Sequence, residues 1–195
     1  MQNQTHKFQH HIVIQCLLYL IVCTAIPCCA TTPSFQSLQP TLDPQGHYIS
    51  DVPFISQKKD RCGPAALAMV LRYWGAKVSE KDVAREVYLP LLQGALLSDL
   101  RAYAEQRGFK AHSYMSGMDD LRYRITRNEP LILLLDLGGE SVERPHYVVA
   151  IGFQEAKKLL IIHSGRKENQ VCSYKKILNQ WAKMNYLALL VQPKQ

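Results

Sequence analysis

The chain has 195 residues, of which 47% are apolar and 20% charged, and its formal net charge is +7. This composition is typical of one folded domain with a short extension, and it excludes a largely disordered chain or a solenoid of short repeats. Nucleic-acid binding is disfavoured, because the basic residues are scattered and do not form a stripe interleaved with aromatic residues.

The first 30 residues have the pattern of an export signal. An apolar run at residues 12–26 follows Lys7, and it is shorter than the roughly 20 residues of a membrane span. Small residues permit cleavage after Ala30, whereas Cys28 or Cys29 would suit a lipoprotein. An uncleaved membrane anchor is the remaining alternative. All three readings predict an exported protein, either periplasmic or anchored to the membrane of the cell envelope.

The rest of the chain divides into a linker and a domain. Residues 31–50 are rich in Thr, Pro, Ser and Gln and are predicted to be a linker, and residues 51–195 are predicted to form one domain. Four of the six cysteines lie in the leader, and the domain holds the other two, Cys62 and Cys172. Two cysteines are too few for a disulfide framework. No Cys and His spacing resembles a zinc site, and we predict no metal or organic cofactor.

Helices are predicted to dominate the first half of the domain and strands the second. After an extended segment or short strand at residues 51–56, the patterns predict helices at 64–74, 79–87, 98–107 and 118–127 and a strand at 109–114. The second half has predicted strands at 131–137, 146–153, 158–163 and 187–192 and a helix at 173–183. This order predicts an α+β fold with an antiparallel sheet.

Cys62 is the first candidate for a chemical role. It lies where a helix begins, and there the helix dipole and free backbone N–H groups lower a thiol pKa and favour a nucleophile. Arg61 would add positive charge, and Gly63 would leave space for the backbone of a substrate. The alternative is a buried core cysteine. Gln57, five residues upstream, is a candidate donor to an oxyanion, with a solvated loop residue as the alternative.

His146 is the candidate general base, which a thiol nucleophile requires. It follows Pro145 and begins an apolar strand, so a rigid element would hold its imidazole. The alternative is a histidine at a strand edge with no role. His163 lies at the end of the next predicted strand, and His112 lies within an earlier one.

Two motifs together resemble a known family. The residues Gln-x4-Cys-Gly-Pro-Ala-Ala-Leu at 57–67 and His-Tyr-Val-Val-Ala-Ile-Gly-Phe at 146–153 resemble the bacteriocin-processing, double-glycine-leader peptidases and their stand-alone relatives. These belong to the papain-like cysteine peptidase superfamily. The resemblance implies a papain-like fold, with Cys62 as nucleophile, His146 as base and Gln57 as the oxyanion-hole donor.

The third catalytic position departs from that family. An Asp usually follows the next strand, in an Asn-Asp-Pro-like turn, but Ser164 and His163 occupy the corresponding places here. Ser164, or alternatively His163, would then accept a hydrogen bond from the imidazole. The transporter segments that accompany the bacteriocin-processing enzymes do not occur in this sequence.

The sequence therefore predicts an exported cysteine peptidase that acts on a peptide or protein through a thioester. Two alternatives remain open, a non-catalytic peptide-binding module on the same fold and a thioester-based acyl transferase. Cys172 has no base-like partner nearby in sequence and is predicted to be structural.

Overall fold

The computed structural model describes residues 33–38, 45–58, 60–139 and 142–194. The predicted leader, residues 1–30, lies outside these ranges. Within them, no helix combines the length and the apolar character that crossing a membrane requires.

Six helices occur in the described part of the chain, and those of the domain match the predicted ones to within two residues at each end. They are α1 (Phe35–Leu38), α2 (Cys62–Tyr73), α3 (Glu80–Val87), α4 (Leu97–Gln106), α5 (Met118–Thr126) and α6 (Tyr174–Ala182), with a 3-10 turn at Pro90–Leu92. Ser79 begins α3 with a capping box, since its hydroxyl accepts from the Asp82 N–H and Asp82 accepts from the Ser79 N–H. Helix α2 is buried from Gly63 to Leu71, as its almost wholly apolar sequence requires.

Within the described ranges, seven strands form one antiparallel sheet, with the order β2-β7-β3-β4-β5-β6 and with β1 paired to β4. They are β1 (Gly46–Tyr48), β2 (Phe109–Met115), β3 (Leu131–Asp136), β4 (Pro145–Gln154), β5 (Leu159–Ser164), β6 (Lys167–Ser173) and β7 (Leu187–Pro193). The apolar strands β3, β4 and β5 lie side by side in the sheet, where both faces are covered. The predicted α+β fold with an antiparallel sheet is confirmed.

Three segments differ from the prediction. Part of the predicted linker at residues 31–50 belongs to the fold, because Gly46–Tyr48 pairs with the end of β4 and Leu38 is fully buried. Residues 51–56 make no ladder, so the short strand, one of the two forms predicted for them, was wrong. Strand β6 was not predicted: its sequence is polar, and it pairs with β5 at the edge of the sheet.

Candidate active site

A cleft of about 440 Å³ lies where the start of α2 meets the start of β4 and the turn after β5. Its lining includes Gln57, Cys62 and His146, so the structure brings these three predicted residues together from three separate segments. The remaining lining residues are Lys58, Asp60, Gln93, Leu137, Arg144, Pro145, Gly165 and Arg166.

Cys62 is the first residue of α2 and is half-buried. Burial raises the pKa of its thiol, and the backbone N–H groups of Tyr147, Gly63 and Cys62 itself oppose that rise without overcoming it. The expectation of a net lowered pKa was therefore wrong, because desolvation outweighs the helix terminus. Arg61 does not assist the thiol, since its guanidinium pairs with the Glu80 carboxylate at 3.2 Å.

Gly63 is tightly packed against its neighbours. A Cβ at this position would lie 3.1 Å from Cδ2 of Tyr147 and 3.3 Å from Cβ of Ala95. The Tyr147 hydroxyl also donates to the Ala95 carbonyl at 3.1 Å. The absence of a side chain at Gly63 thus lets α2 pack closely on β4, so that Cys62 lies next to Tyr147, the residue after His146. The prediction that Gly63 serves substrate access was wrong, because the residue is buried against protein.

His146 is bonded at one ring nitrogen only. Its Nε2 lies 3.2 Å from Ser164 Oγ, and Nδ1 has no hydrogen-bond partner in the described part of the chain. Burial, with a smaller contribution from the positive charge of Arg144, lowers the pKa of His146 to about 4. The imidazole is therefore neutral at neutral pH. When Nε2 carries the hydrogen and donates to Ser164, Nδ1 keeps the lone pair that a general base needs.

His163 faces the opposite side of the sheet. It lies across from Val149 in the β4–β5 ladder, whereas Ser164 shares the His146 face. Its Nδ1 accepts the Asn169 N–H at 3.2 Å, so its Nε2 donates to the Val52 carbonyl at 3.1 Å. Both ring nitrogens are occupied, and the alternative in which His163 orients His146 was wrong.

Gln57 is buried with only 6% of its surface exposed. Its backbone N–H donates to the Gly165 carbonyl at 2.9 Å, which fixes the segment beside the β5–β6 turn. Neither Oε1 nor Nε2 of its side chain has a partner among the described residues. Buried amides are normally hydrogen-bonded, so this amide in the lining of the cleft has donor and acceptor capacity that the described residues do not use. The alternative of a solvated loop residue was wrong.

A protein-family model matches the part of the sequence that forms this fold and cleft. The peptidase C39-like family model matches residues 49–189, which include Gln57, Cys62, His146 and Ser164. The chain belongs to the peptidase C39-like family. Its predicted resemblance to double-glycine-leader peptidases is thereby confirmed.

A curated relative of this C39-like chain is a protein of Pseudomonas fluorescens named probable functional amyloid protease FapD. The two are 34% identical over 113 residues, which is 53% of this chain and 45% of that protein. The chain therefore spans about half the length of the curated relative that it matches.

Solved structures show the same fold at lower identity. The peptidase domain of Streptococcus ComA, a bifunctional ABC transporter, has a TM-score of 0.60 at 23% identity and covers 73% of this chain and 99% of its own. A Bacillus anthracis protein described as a C39-like peptidase has a TM-score of 0.63 at 19% identity, with 77% and 98% covered. A double-glycine-motif protease from an AMS/PCAT transporter, in complex with the leader peptide, has a TM-score of 0.59 at 21% identity, with 76% and 95% covered.

Asp136 supports the start of the histidine strand in this C39-like domain and was not predicted. Its buried carboxylate accepts the N–H groups of Gly138 and Arg144, both at 2.7 Å, and lies 3.6 Å from Lys183 Nζ. These backbone hydrogen bonds lower the pKa of Asp136, with smaller help from the charge of Lys183. The carboxylate thereby closes the loop that leads into His146. A single acidic residue ending an apolar strand before two glycines was the available indication in the sequence.

Cys172 does not line the cleft. It is a free, buried cysteine on β6, and it contributes to a separate cavity of about 230 Å³ next to Ser164 and beneath α6. Burial raises the pKa of this thiol. Its surroundings are those of a small core side chain.

Proposed function

We propose that the chain is a cysteine peptidase whose nucleophile is Cys62. The observation that carries the proposal is the convergence of Cys62, His146 and the unpartnered Gln57 amide in one cleft of a C39-like fold. The substrate is a peptide or protein, which the names of the FapD relative and of the leader-peptide complex support.

The reaction begins with attack of the Cys62 sulfur on the carbonyl carbon of the scissile bond. His146 Nδ1 takes the thiol proton as the C–S bond forms, and the negative charge develops on the carbonyl oxygen. Gln57 Nε2 and a backbone N–H at the start of α2 donate to that oxyanion. The imidazolium then returns the proton to the leaving amine, the C–N bond breaks, and a thioester remains. Water, deprotonated by His146, hydrolyses the thioester and restores the thiol.

The resting pair in this proposal is neutral. Burial raises the pKa of Cys62 and lowers that of His146, so a neutral thiol beside a neutral imidazole is favoured over a preformed thiolate–imidazolium pair. Proton transfer accompanies attack, as in general-base catalysis. Substrate entry displaces water, and the Gln57 amide compensates the charge that then appears on the substrate oxygen.

Ser164 serves in place of a triad carboxylate in this proposal. Its hydroxyl accepts from His146 Nε2 and keeps Nδ1 as the basic nitrogen. A neutral hydroxyl holds the tautomer but stabilises the imidazolium less than a carboxylate would. Ser164 thus orients the imidazole of His146 without adding a negative charge.

Two other functions on this fold give different outcomes in one experiment. Turnover of a set of internally quenched peptides is measured for the unmodified protein, Cys62→Ala and His146→Ala, with folding checked by thermal melting. A peptidase loses turnover in both folded variants. Retained peptide binding without turnover in the unmodified protein would indicate a binding module. Product formation that depends on an added amine would indicate an acyl transferase.

We also propose that the domain functions outside the cytoplasm, as the apolar run and cysteines of residues 1–30 suggest. N-terminal sequencing and mass spectrometry of the protein from fractionated cells test this. The proposal predicts a mature form in the envelope that begins between Cys28 and Thr31. An intact Met1 form in the cytosol would contradict it.

A further inference from the structure

The charged residues of the cleft are unevenly balanced. Its lining has three cationic side chains, Lys58, Arg144 and Arg166, and one carboxylate, Asp60. All three cations are exposed, and none forms an ion pair with another described residue. Among the described residues, the lining of the cleft therefore has more positive than negative charge around its candidate nucleophile.

Arginines elsewhere in the domain behave differently. Seven of the ten arginines form ion pairs with carboxylates, namely Arg61, Arg85, Arg101, Arg107, Arg122, Arg124 and Arg127. Of the three described arginines without such a pair, Arg144 and Arg166 line the cleft and Arg72 does not. A guanidinium is suited to bidentate contacts with carboxylates, so two unpaired ones at a single cleft indicate a site for anionic groups.

The backbone positions the two arginines of the cleft, while neither guanidinium forms an ion pair with a described carboxylate. The Arg144 N–H donates to Asp136 at 2.7 Å, and its guanidinium makes one long contact, 3.5 Å, to the Leu137 carbonyl. Arg166 follows Gly165, whose positive φ of 60° forms the β5–β6 turn and whose carbonyl accepts from Gln57. The cations therefore flank both His146 and the proposed oxyanion donor.

We infer that the cleft selects peptides with carboxylate groups close to the scissile bond. Arg144 and Arg166 bind the carboxylates, and Lys58 adds positive charge on the Gln57 side. Opposite charge strengthens the binding of acidic segments, and like-charge repulsion disfavours basic ones. The inference rests on the proposed peptidase function for its biological meaning, but it makes a statement about binding that holds without turnover.

The test measures binding to the folded Cys62→Ala protein, so that it does not depend on catalysis. Three pools of labelled short peptides share the same apolar residues and carry Glu, Gln or Lys at the remaining positions. We expect the Glu pool to bind about tenfold more tightly than the Gln pool at low salt, because two exposed ion pairs contribute this order of affinity. The advantage shrinks at high salt, where such charges are screened.

Variants assign the effect to the cleft. Arg144→Gln and Arg166→Gln should each reduce the preference for Glu over Gln, and the double variant should abolish it. Arg72→Gln is the matched control, an unpaired arginine outside the cleft, and it should leave the preference intact. Amidating the C-terminus in all three pools distinguishes the two sources of carboxylate: if the side chains are recognised, amidation leaves the Glu preference intact, whereas recognition of the terminal carboxylate would make amidation weaken binding of all three pools alike.

The outcomes separate this inference from the proposed activity. Equal binding of the Glu and Gln pools, or an equal loss for Arg72→Gln and Arg144→Gln, would overturn the inference even if the unmodified protein cleaves peptides. A Glu preference that the cleft variants remove would sustain it even if no peptide is cleaved, in which case the proposed peptidase function fails and acidic peptide binding remains.

Discussion

His146 and His163 lie in the same sheet but have opposite surroundings. His163 uses both ring nitrogens in hydrogen bonds to the main chain and is 1% exposed. His146 uses one, to Ser164, its other ring nitrogen has no partner among the described residues, and the residue lines the cleft. His163 thus has both ring nitrogens satisfied by the fold, whereas His146 keeps one nitrogen without a partner, as its proposed role as a base requires. The buried side chain of Gln57 likewise has no hydrogen-bond partner among the described residues.

Replacing each of the two histidines in turn is expected to give the largest difference in turnover. His146→Ala should reduce kcat/KM by about 10⁴ or more, since the nucleophile and base act as one unit. His163→Ala should retain measurable turnover and instead lower the free energy of unfolding by about 2 kcal/mol, because two buried hydrogen bonds are lost. Peptide turnover and urea unfolding of both variants provide the measurement. A stable His163→Ala protein that is as inactive as His146→Ala would contradict this assignment.

Gln57 is expected to show the next largest effect. Gln57→Ala removes the proposed side-chain donor to the oxyanion and should lower kcat by about 10²-fold with little change in KM. Gln93→Ala is the matched control, because Gln93 lines the same cleft but is exposed. Steady-state kinetics of both variants test the prediction. Equal losses in the two would show that the buried amide has no special role.

The pH dependence distinguishes a buried base from a solvated one. Since the pKa of His146 is lowered to about 4, kcat/KM should stay high through pH 6 and fall only as the pH approaches that value. Folding stability should decline earlier, as the pH falls from about 6.5 to about 4, because the unfolded chain, with an ordinary histidine pKa of about 6.5, binds the proton first. Circular dichroism at each pH separates the two effects. An acid limb near pH 6.5 in the folded protein would contradict the lowered pKa.

Arg144 adds a second check on this pH profile, since its charge is the smaller cause of the low His146 pKa. Arg144→Gln should move the acid limb upward. Arg72→Gln again serves as the control and should leave the limb in place.

Ser164 is expected to have the smallest effect. Ser164→Ala removes one neutral hydrogen bond to the imidazole, and a contribution of about 1 kcal/mol corresponds to roughly fivefold in rate. Ser164→Asp should be tolerated, because it restores the carboxylate of related triads. Turnover of both variants, compared with His146→Ala, gives the ranking. If Ser164→Ala is as damaging as His146→Ala, Ser164 is a full triad member.

The elements that carry the chemistry could be predicted because their sequences satisfy one strong rule each. Helix α2 is an apolar run with Pro64 in its first turn, and β4 is an apolar strand with His146 as its second residue. Strand β6 could not be predicted, since its residues are polar and its pairing depends on the free edge of β5. Strand β1 likewise could not be predicted, because it pairs with the last residues of β4, beyond the part of β4 that β3 covers.

The sequence predicted which residues form the site, but it did not predict the pKa of Cys62 or the hydrogen-bond partner of His146. Gln57, Cys62 and His146 meet as expected, but the pKa of Cys62 depends on how deeply α2 packs against Tyr147, which no local pattern reveals. The choice between Ser164 and His163 follows from which face of β5 each occupies. Sequence spacing alone left that register open.

Labelling of the two domain cysteines tests directly whether Cys62 is a nucleophile that His146 activates. The intact protein is treated with a peptide-like electrophile that carries an acyl or vinyl group, and modified residues are identified by mass spectrometry in the unmodified protein, Cys172→Ser and His146→Ala. The account predicts rapid labelling of Cys62, unchanged in Cys172→Ser and strongly slowed in His146→Ala, with Cys172 protected until the protein unfolds. Preferential labelling of Cys172, or labelling of Cys62 that is indifferent to the loss of His146, would contradict it.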